Sequence, residues 1–347
     1  MVRKYLCVGT LVITLLLQSI TVCSAASTIS IGAQPSISIE SSTEFDADAQ
    51  VSEQQMSQDE FNKQKDQLLI DQGQLKNAQE QLQKDQEQLR KDQDILVKAQ
   101  EQLKKELEKL DTQNKLKKLN SEVNSSTYLS YLKSLGYYQN IYKNDEKLNI
   151  RNTLLLFQSN HNMSVTGTWD DATKTMLINR LLSKSFTYLD VVKKAPTKGR
   201  WIAINKTKRT LTLYEDTKVL KKYPVAVGNP SSLTKSGKFI INMKLIDPDW
   251  GGGGIGKPVK GGIPQNPLGS RWIGINRTDG SYGMHGTNSL YSIGTYASHG
   301  CIRMQNYCVE ELFPLIPMKS NVWVGTGDEL KNWGITQNAF ETQSSTK

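Results

Sequence analysis

A leucine recurs at every seventh residue, without interruption, from Leu68 to Leu110. Residues 61–119 contain no proline and a single glycine, Gly73, so little within them interrupts a helix. This periodicity predicts one continuous helix, about 90 Å long at 1.5 Å per residue. A strict seven-residue repeat also favours a left-handed supercoil with a second helix.

The second seam position of this repeat is polar. It is mostly Gln or alternates between Asp and Ala, so only half of a coiled-coil seam would be apolar. Two interpretations of residues 61–122 therefore stay open. The helix forms a weak dimeric coiled coil, giving a homodimer through residues 61–119, or it is a spacer that holds two parts of the chain apart.

The N-terminus has the three parts of a secretory signal. Residues 1–26 carry Arg3 and Lys4, then an apolar run, then small residues that end at Ala26. We expect export, with cleavage after Ala25 or Ala26 and a final location in the cell wall. An uncleaved signal that tethers the protein to the membrane and a lipid-modified Cys23 stay open as alternatives.

Charge is unevenly distributed along the chain. Residues 27–60 are polar and predict a disordered linker. Residues 41–122 contain 13 Lys and Arg against 18 Asp and Glu, whereas residues 123–347 contain 28 against 15. The basic part favours an anionic partner such as nucleic acid, a lipid surface or a wall polymer, and export argues against nucleic acid.

Residues 123–190 show apolar residues at helical spacing in three stretches. The first stretch should end at Gly136, and the sequence Thr168–Asp171 has the form of a capping box ahead of a helix that continues to Leu182. The segment predicts a small all-α domain. His161 lies in it, and we expect a surface polar residue with no catalytic part.

From Arg200 the hydrophobic period changes to two. Short alternating runs separated by Gly- and Pro-containing turns predict a mainly β domain over residues 198–327. Residues 251–269 are rich in Gly and Pro and show no periodicity, which is typical of a lid or binding loop. Residues 328–347 lose the pattern and are expected to be a C-terminal tail.

The chemistry-bearing residues cluster around one cysteine. Cys301 is flanked by His299 and Arg303, and His285 lies upstream. Imidazole and guanidinium groups favour the thiolate, which is the attacking form of cysteine. The step from Gly300 to Cys301 is expected to open a helix, so that its amide N–H groups face a developing oxyanion.

Other interpretations of the cysteines stay open at this stage. Cys301 and Cys308 could join two histidines around zinc, or form a disulfide with each other. Cys308 alone fits a core position of the following helix.

The segments His285–Asn288 and Ser298–Arg303 resemble the signature of the L,D-transpeptidase (YkuD-type) catalytic domain. The helical segment, with its runs Gly136–Tyr138 and Val165–Gly167, resembles the peptidoglycan-binding domain of bacterial wall enzymes. The resemblance implies a multidomain protein: a long helical stalk, a small three-helix domain and a mainly β, β-sandwich-like catalytic domain with short helices.

The resemblance also assigns roles. It implies that Cys301 is the nucleophile, that His285 is the base, and that the carbonyl of Gly286 orients His285. His299 and the backbone of Gly300 and Cys301 would line the oxyanion site. The residues implied on the substrate side are Arg303, Asn306, Ser298, Asn266 and Gly269.

The implied reaction is acyl transfer on peptidoglycan stem peptides through a Cys301 thioester, giving 3→3 cross-links without a metal or organic cofactor. Three alternatives stay open. Water in place of the acceptor amine would make the protein an L,D-carboxypeptidase, a decayed site would leave a non-catalytic wall-binding protein, and a sortase-like reaction would cleave a sorting signal.

Overall fold

The computed structural model describes residues 47–230, 233–254, 256–275 and 282–340, and for residues 47–57 it describes only the backbone. The expected signal at residues 1–26 lies outside these ranges. Within them, no helix combines the length and the apolar composition needed to cross a membrane. Residues Met1–Asp94 and Ile95–Lys347 are two separate units.

Most of the helical residues precede the first strand, and two short helices lie between later strands. The helices are α1 (Ala47–Glu122), α2 (Tyr128–Ser134), α3 (Glu146–Asn160), α4 (Asp171–Leu182), α5 (Asn306–Leu315) and α6 (Gly327–Asn332). The strands are β1 (Asp190–Val192), β2 (Arg200–Asn205), β3 (Thr210–Glu215), β4 (Lys218–Pro224), β5 (Val227–Gly228), β6 (Gly237–Ile246), β7 (Arg271–Ile275), β8 (Gly283–His285), β9 (Tyr296–Ser298), β10 (Ile302–Arg303), β11 (Asn321–Gly325) and β12 (Ile335–Gln337).

Helix α1 confirms the long helix predicted from the leucine repeat. It begins at Ala47, so the prediction that residues 47–60 belong to a disordered linker was wrong for that stretch. The polar composition there suits an exposed helix as well as a linker. The repeat leucines are exposed, with 58% of Leu68 and 53% of Leu110 accessible.

Three helices follow α1, as predicted for the small all-α region. Helix α2 ends before Gly136, and the Asp145 carboxylate caps α3 by accepting from the Leu148 amide. Helix α4 begins later than the capping-box pattern implied. Its cap is Asp170, which accepts from the Thr173 amide at 2.7 Å, and Thr168 lies in the preceding turn.

The C-terminal region is mainly β, which confirms the predicted class. Eight strands form one mixed sheet in the order β10-β8-β7-β6-β11-β2-β3-β4, and the pairs β10–β8 and β11–β2 are parallel. Two further pairs, β1–β12 and β5–β9, lie outside it. The period of two places alternate residues on opposite faces. Ile202 belongs to the cluster that packs on α5, whereas Trp201 belongs to the cluster that packs near α6.

The prediction of a patternless tail from residue 328 was wrong for residues 328–340. These residues form most of α6 and the strand β12, which pairs with β1 in antiparallel register. Phe340 is 6% exposed and packs in the helical core. The sequence pattern that would predict β12 is weak, because the strand has three residues and its partner β1 is about 145 positions away.

Within residues 95–347 the helical region and the sheet are packed together. Leu155 and Val165 share a core cluster with Ala226 and Ile293. The Arg151 guanidinium donates to the Ile293 carbonyl at 2.6 Å, and the Arg209 guanidinium donates to the Val165 carbonyl at 2.9 Å. These bonds join residues that the sequence analysis had assigned to separate domains.

His161 corrects another expectation, because it is a core residue and only 1% exposed. Its ring lies 4.2 Å from the Phe157 ring and 4.8 Å from the Phe186 ring, centroid to centroid. Its Nδ1 contacts the Phe157 carbonyl at 2.7 Å. Burial lowers the pKa of His161 to about 4. The sequence could not show this, because the neighbouring Phe186 and Phe340 are distant along the chain.

The buried histidine gives a testable pH dependence. A histidine in the unfolded chain has a pKa near 6.5, so below that value the unfolded state binds a proton that folded His161 does not. Between pH 6.5 and 4 this costs about 3 kcal/mol of stability. In urea unfolding, we expect the free energy of unfolding of His161→Phe to fall less between pH 6.5 and 4 than that of the wild type. Parallel pH profiles for the two proteins would contradict the assignment.

Candidate active site

Strand pairing places the two ends of the predicted signature side by side. Strand β8 lies between β7 and β10, with His285 opposite Trp272 on one side and opposite Arg303 on the other. The Met304 amide donates to the His285 carbonyl at 2.8 Å. Cys301 directly precedes β10. The register therefore brings the neighbourhoods of His285 and Cys301 together, as the sequence analysis predicted.

Asn306, the first residue of α5, holds the segment that follows His285. Its side-chain carbonyl accepts from the Thr287 amide at 3.0 Å, and its amide donates to the Thr287 carbonyl at 3.1 Å. An added Cβ on Gly286 would lie 2.1 Å from the Asn306 Oδ1, which explains why glycine is needed there. A Cβ added to Gly269 would also lie 2.1 Å from this Oδ1, so glycine is needed at both positions. Asn306, which the resemblance placed on the substrate side, thus fixes the loop that follows His285.

The turn that carries Cys301 is also held by hydrogen bonds. Gly300 has a φ of +115°, a conformation open to glycine, and its carbonyl accepts from the Thr234 hydroxyl at 2.8 Å. Ser298 closes the turn, because its hydroxyl donates to the Cys301 carbonyl and accepts from the Gly300 amide. The predicted helix at Gly300–Cys301 was wrong: β10 intervenes, and α5 starts at Asn306 and includes Pro314.

An open cleft of about 650 Å³ contains the reactive groups. His285, Ser298, His299, Cys301 and Arg303 all line it. The patternless stretch 251–269 supplies further wall residues, as expected of a binding loop. The side chains and loop residues that complete the wall are Met243, Leu245, Pro248, Asp249, Trp250, Gly251, Gly253, Pro267, Leu268 and Trp272.

Asn266, predicted on the substrate side, is 1% exposed and does not line the cleft. Its side-chain amide donates to the Pro248 carbonyl at 2.8 Å and to the Lys260 carbonyl at 3.0 Å. Its side-chain oxygen accepts from the Leu268 amide at 2.8 Å. These bonds tie the two ends of the loop together, so Asn266 shapes the wall of the cleft from behind.

His285 is in the state that a general base needs. Burial lowers its pKa to about 4, so the ring is neutral at neutral pH. Its Nδ1 lies 2.6 Å from the Gly286 carbonyl, an oxygen that can only accept, so Nδ1 carries the proton. The Trp272 ring stacks on the imidazole at 5.6 Å between centroids. Nε2 is then the nitrogen able to take a proton.

Arg303 is the cation of the cleft. Partial burial lowers the pKa of its guanidinium, and the thiolate of Cys301 acts in the opposite direction. This coupling is reciprocal, so Arg303 favours the negative form of Cys301. His299 lines the same cleft but is exposed.

Cys308 lies apart from this chemistry. It is 1% exposed in the core on α5, as predicted, and burial raises the pKa of its thiol to about 12. No disulfide joins it to Cys301, so that alternative was wrong. In the described ranges, no three or more His, Cys, Asp or Glu side chains are grouped to hold a metal ion.

Sequence analysis did not identify two residues, Thr234 and Trp272, that position the groups of the site. Thr234 is 3% exposed and connects the Gly228 amide to the Gly300 carbonyl, 66 residues further along the chain. Trp272 stacks on His285 because β7 and β8 pair. A recognised β7–β8 hairpin would have indicated Trp272, whereas nothing in the local sequence indicates Thr234.

Comparison with known proteins identifies the family of the mainly β region. The family model for the YkuD L,D-transpeptidase catalytic domain matches residues 199–324. The putative L,D-transpeptidase YqjB of Bacillus subtilis (strain 168) is 41% identical over 127 residues, which cover 36% of this chain and 70% of YqjB. The chain belongs to the L,D-transpeptidase family.

A second relative matches over a similar stretch. The putative L,D-transpeptidase YkuD of Bacillus subtilis (strain 168) is 36% identical over 123 residues, 35% of this chain and 64% of YkuD. The chain thus spans less than two thirds of that relative. A crystal structure of an L,D-transpeptidase (Yku) from Stackebrandtia nassauensis is 20% identical, covers 57% of this chain and 88% of its own, and has a TM-score of 0.35.

The state of His285 can be measured directly. In Cys301→Ala, which removes the coupled thiol, we expect the ¹⁵N shifts of His285 to report a neutral ring with the proton on Nδ1 from pH 8 down to about 5. The midpoint should lie near pH 4, because burial opposes the charged form. A midpoint near 6.5, or a proton on Nε2, would contradict the assignment.

Proposed function

We propose that this protein is a peptidoglycan L,D-transpeptidase that forms 3→3 cross-links through a Cys301 thioester. Family membership supports acyl transfer as the reaction class. The observation that carries the proposal is the neutral, buried imidazole of His285, which shares one cleft with Cys301 and Arg303. A nucleophile, a base and a cation are the groups that thiol acyl transfer requires.

The first half-reaction forms the acyl-enzyme. The Cys301 proton passes to Nε2 of His285, and the sulfur attacks the carbonyl carbon of the third residue of a donor tetrapeptide. The tetrahedral oxyanion faces the turn Ser298–Cys301, with His299 at its edge. Collapse breaks the C–N bond to terminal D-Ala, whose nitrogen takes the proton from His285, leaving a Cys301 thioester.

The second half-reaction reverses these roles. A side-chain amine of the third residue of a neighbouring stem attacks the thioester carbonyl, and His285 takes a proton from the attacking nitrogen. Collapse breaks the C–S bond, and the proton returns to the Cys301 thiolate. The product is an amide between two third residues.

Arg303 is the residue we assign to the substrate carboxylate. It is the cation that lines the cleft beside Cys301, and a guanidinium binds a carboxylate with two parallel hydrogen bonds. Ser298, Gly269, Asn266 and Asn306 act differently. The side chains of Ser298, Asn266 and Asn306 hydrogen-bond to backbone groups of the cleft wall, and Gly269 packs closely against Asn306, so we assign these four residues to shaping the cleft.

We also propose export to the cell wall and pairing of α1 with a second copy of the chain. The exposed leucines at every seventh residue from Leu68 to Leu110 support pairing. The excess of basic over acidic residues in 123–347 supports a location in an anionic cell wall. Sedimentation equilibrium of the full chain tests the pairing. A monomer at all accessible concentrations would exclude it and leave α1 as a spacer.

The chemical proposal is tested with the two cysteines of the C-terminal unit. The chain is incubated with a disaccharide-tetrapeptide and its intact mass is measured. We expect the wild type to gain the mass of the acyl donor less D-Ala, and Cys301→Ala to gain nothing. Cys308→Ala is the matched control, because the Cys308 thiol is buried in the core and should leave the adduct unchanged.

The products separate the competing functions. A cross-linked dimer in solution supports the transpeptidase, and tripeptide without dimer identifies a carboxypeptidase that uses water. Neither adduct nor product under reducing conditions would overturn the enzyme proposal and leave a wall-binding protein.

A further inference from the structure

Asp249 is the one acidic residue among the described residues that line the catalytic cleft. It lies on the loop between β6 and β7, whereas Arg303, the cation assigned to the substrate carboxylate, lies on β10. Two different elements therefore supply a negative and a positive group to the same cleft. The acyl-transfer steps assigned to Cys301 and His285 do not involve the negative one.

Hydrogen bonds across the loop hold the Asp249 side chain in place. Its Oδ1 accepts from the Gly261 amide at 2.7 Å. The next residue, Trp250, exchanges two backbone hydrogen bonds with Val259, at 2.8 and 2.9 Å. The two oxygens of a carboxylate can accept several hydrogen bonds. The bond from Gly261 therefore orients the group and leaves acceptor capacity for a ligand in the cleft.

In the ranges that the structure describes, Asp249 belongs to no ion pair. The lysines of the same loop, Lys257 and Lys260, are exposed and do not line the cleft. Asp247, two residues earlier, differs from Asp249 in both respects. It lies 3.9 Å from the Arg271 guanidinium and outside the cleft wall. Asp249 is thus the acid of this segment whose charge is available to a ligand.

Cross-linking brings a cation into this cleft. The acceptor is a side-chain amine, and an alkyl amine is an ammonium ion at neutral pH. The other lining residues from β6 and the loop are apolar or glycine, among them Met243, Leu245 and Trp250. Such a wall suits the methylene groups that carry the ammonium, and the face of an indole ring attracts a cation. The surroundings of Asp249 therefore match the acceptor side chain in charge and in polarity.

We propose that Asp249 binds the ammonium group of the acceptor stem and thereby favours transfer to an amine over hydrolysis. The donor needs this contact less, because the thioester holds it covalently while the acceptor binds. Water carries no charge and gains nothing from Asp249, so the carboxylate shifts the competition between the two acceptors. The inference rests on the proposed transpeptidase function and names a residue that selects its acceptor.

Asp249 acts on binding and takes no part in proton transfer. The bound ammonium first releases one proton to solvent, which gives the lone pair that attacks the thioester carbonyl. The nitrogen then passes a second proton to Nε2 of His285. The C–S bond breaks, and the departing Cys301 thiolate takes this proton from His285. One amide forms and one thioester is lost, with no further reactant.

The test separates thioester formation from the choice of acceptor. The full chain is acylated with an isotope-labelled disaccharide-tetrapeptide, and an unlabelled disaccharide-tripeptide is added below saturation as an acceptor that cannot act as a donor. We expect Asp249→Asn to form the thioester at the wild-type rate. Its ratio of cross-linked product to labelled tripeptide should be about threefold to fivefold lower, the effect of one exposed ion pair. Asp249→Glu, which keeps the charge, should recover part of the ratio.

Three controls separate charge from other effects. Hydroxylamine is uncharged at neutral pH and cleaves thioesters, so Asp249→Asn should not alter its reaction with the acyl-enzyme. Asp247→Asn removes an acid of the same segment that lies outside the cleft wall, and should leave the product ratio unchanged. Added salt should lower the ratio in the wild type and have little effect in Asp249→Asn, because it screens exposed charges.

Two results would overturn the proposal. One is an unchanged product ratio in Asp249→Asn, and the other is slower thioester formation in this variant, which would place the contact on the donor. Absence of a thioester in the wild type would overturn the proposed function and this inference with it. An unchanged ratio on an intact thioester overturns the inference alone, so the two failures are distinguishable.

Discussion

The active-site geometry depends on the parallel pairing of β8 with β10. This register sets Arg303 opposite His285 and leaves Cys301 at the entrance of β10, although the sequence separates His285 and Cys301 by fifteen other residues. Two short strands cannot hold such a register by themselves. Asn306 supplies the missing restraint, because its side chain bonds both backbone groups of Thr287, two residues after His285.

Burial then determines the chemistry at this register. His285 is 5% exposed beneath the Trp272 ring, so its charged form is disfavoured and its Nε2 stays available to accept a proton. The Gly286 carbonyl fixes the other nitrogen as the donor. Cys308 illustrates the contrast. Burial of its thiol in the core on α5 favours the neutral form, while Cys301, partly exposed in the cleft, lies beside a guanidinium.

Periodic and local signals in the sequence predicted much of this structure. The leucine repeat predicted α1, the period of two predicted strands such as β2, and the signature residues predicted which groups share the cleft. Long-range contacts could not be predicted in the same way. The burial of His161 against Phe340, the strand β12 and the bond from Thr234 to Gly300 all join residues that are far apart in the sequence.

The start of α5 shows how a local rule can also mislead. The step from Gly300 to Cys301 suggested the start of a helix, but pairing with β8 extends residues 302–303 as a strand. Hydrogen bonds of Ser298 and Thr234 therefore hold the turn that positions the amides near Cys301. The N-terminus of α5 positions Asn306. Tertiary pairing overrode local preference at the residue that matters most for chemistry.

The central claim is that neutral His285 makes Cys301 a nucleophile at neutral pH. The most direct measurement is the rate at which iodoacetamide alkylates Cys301, followed by peptide mapping, in Cys308→Ala and in Cys308→Ala with His285→Gln. The account predicts a rate lower by about tenfold or more without the imidazole. Equal rates in the two proteins would contradict it.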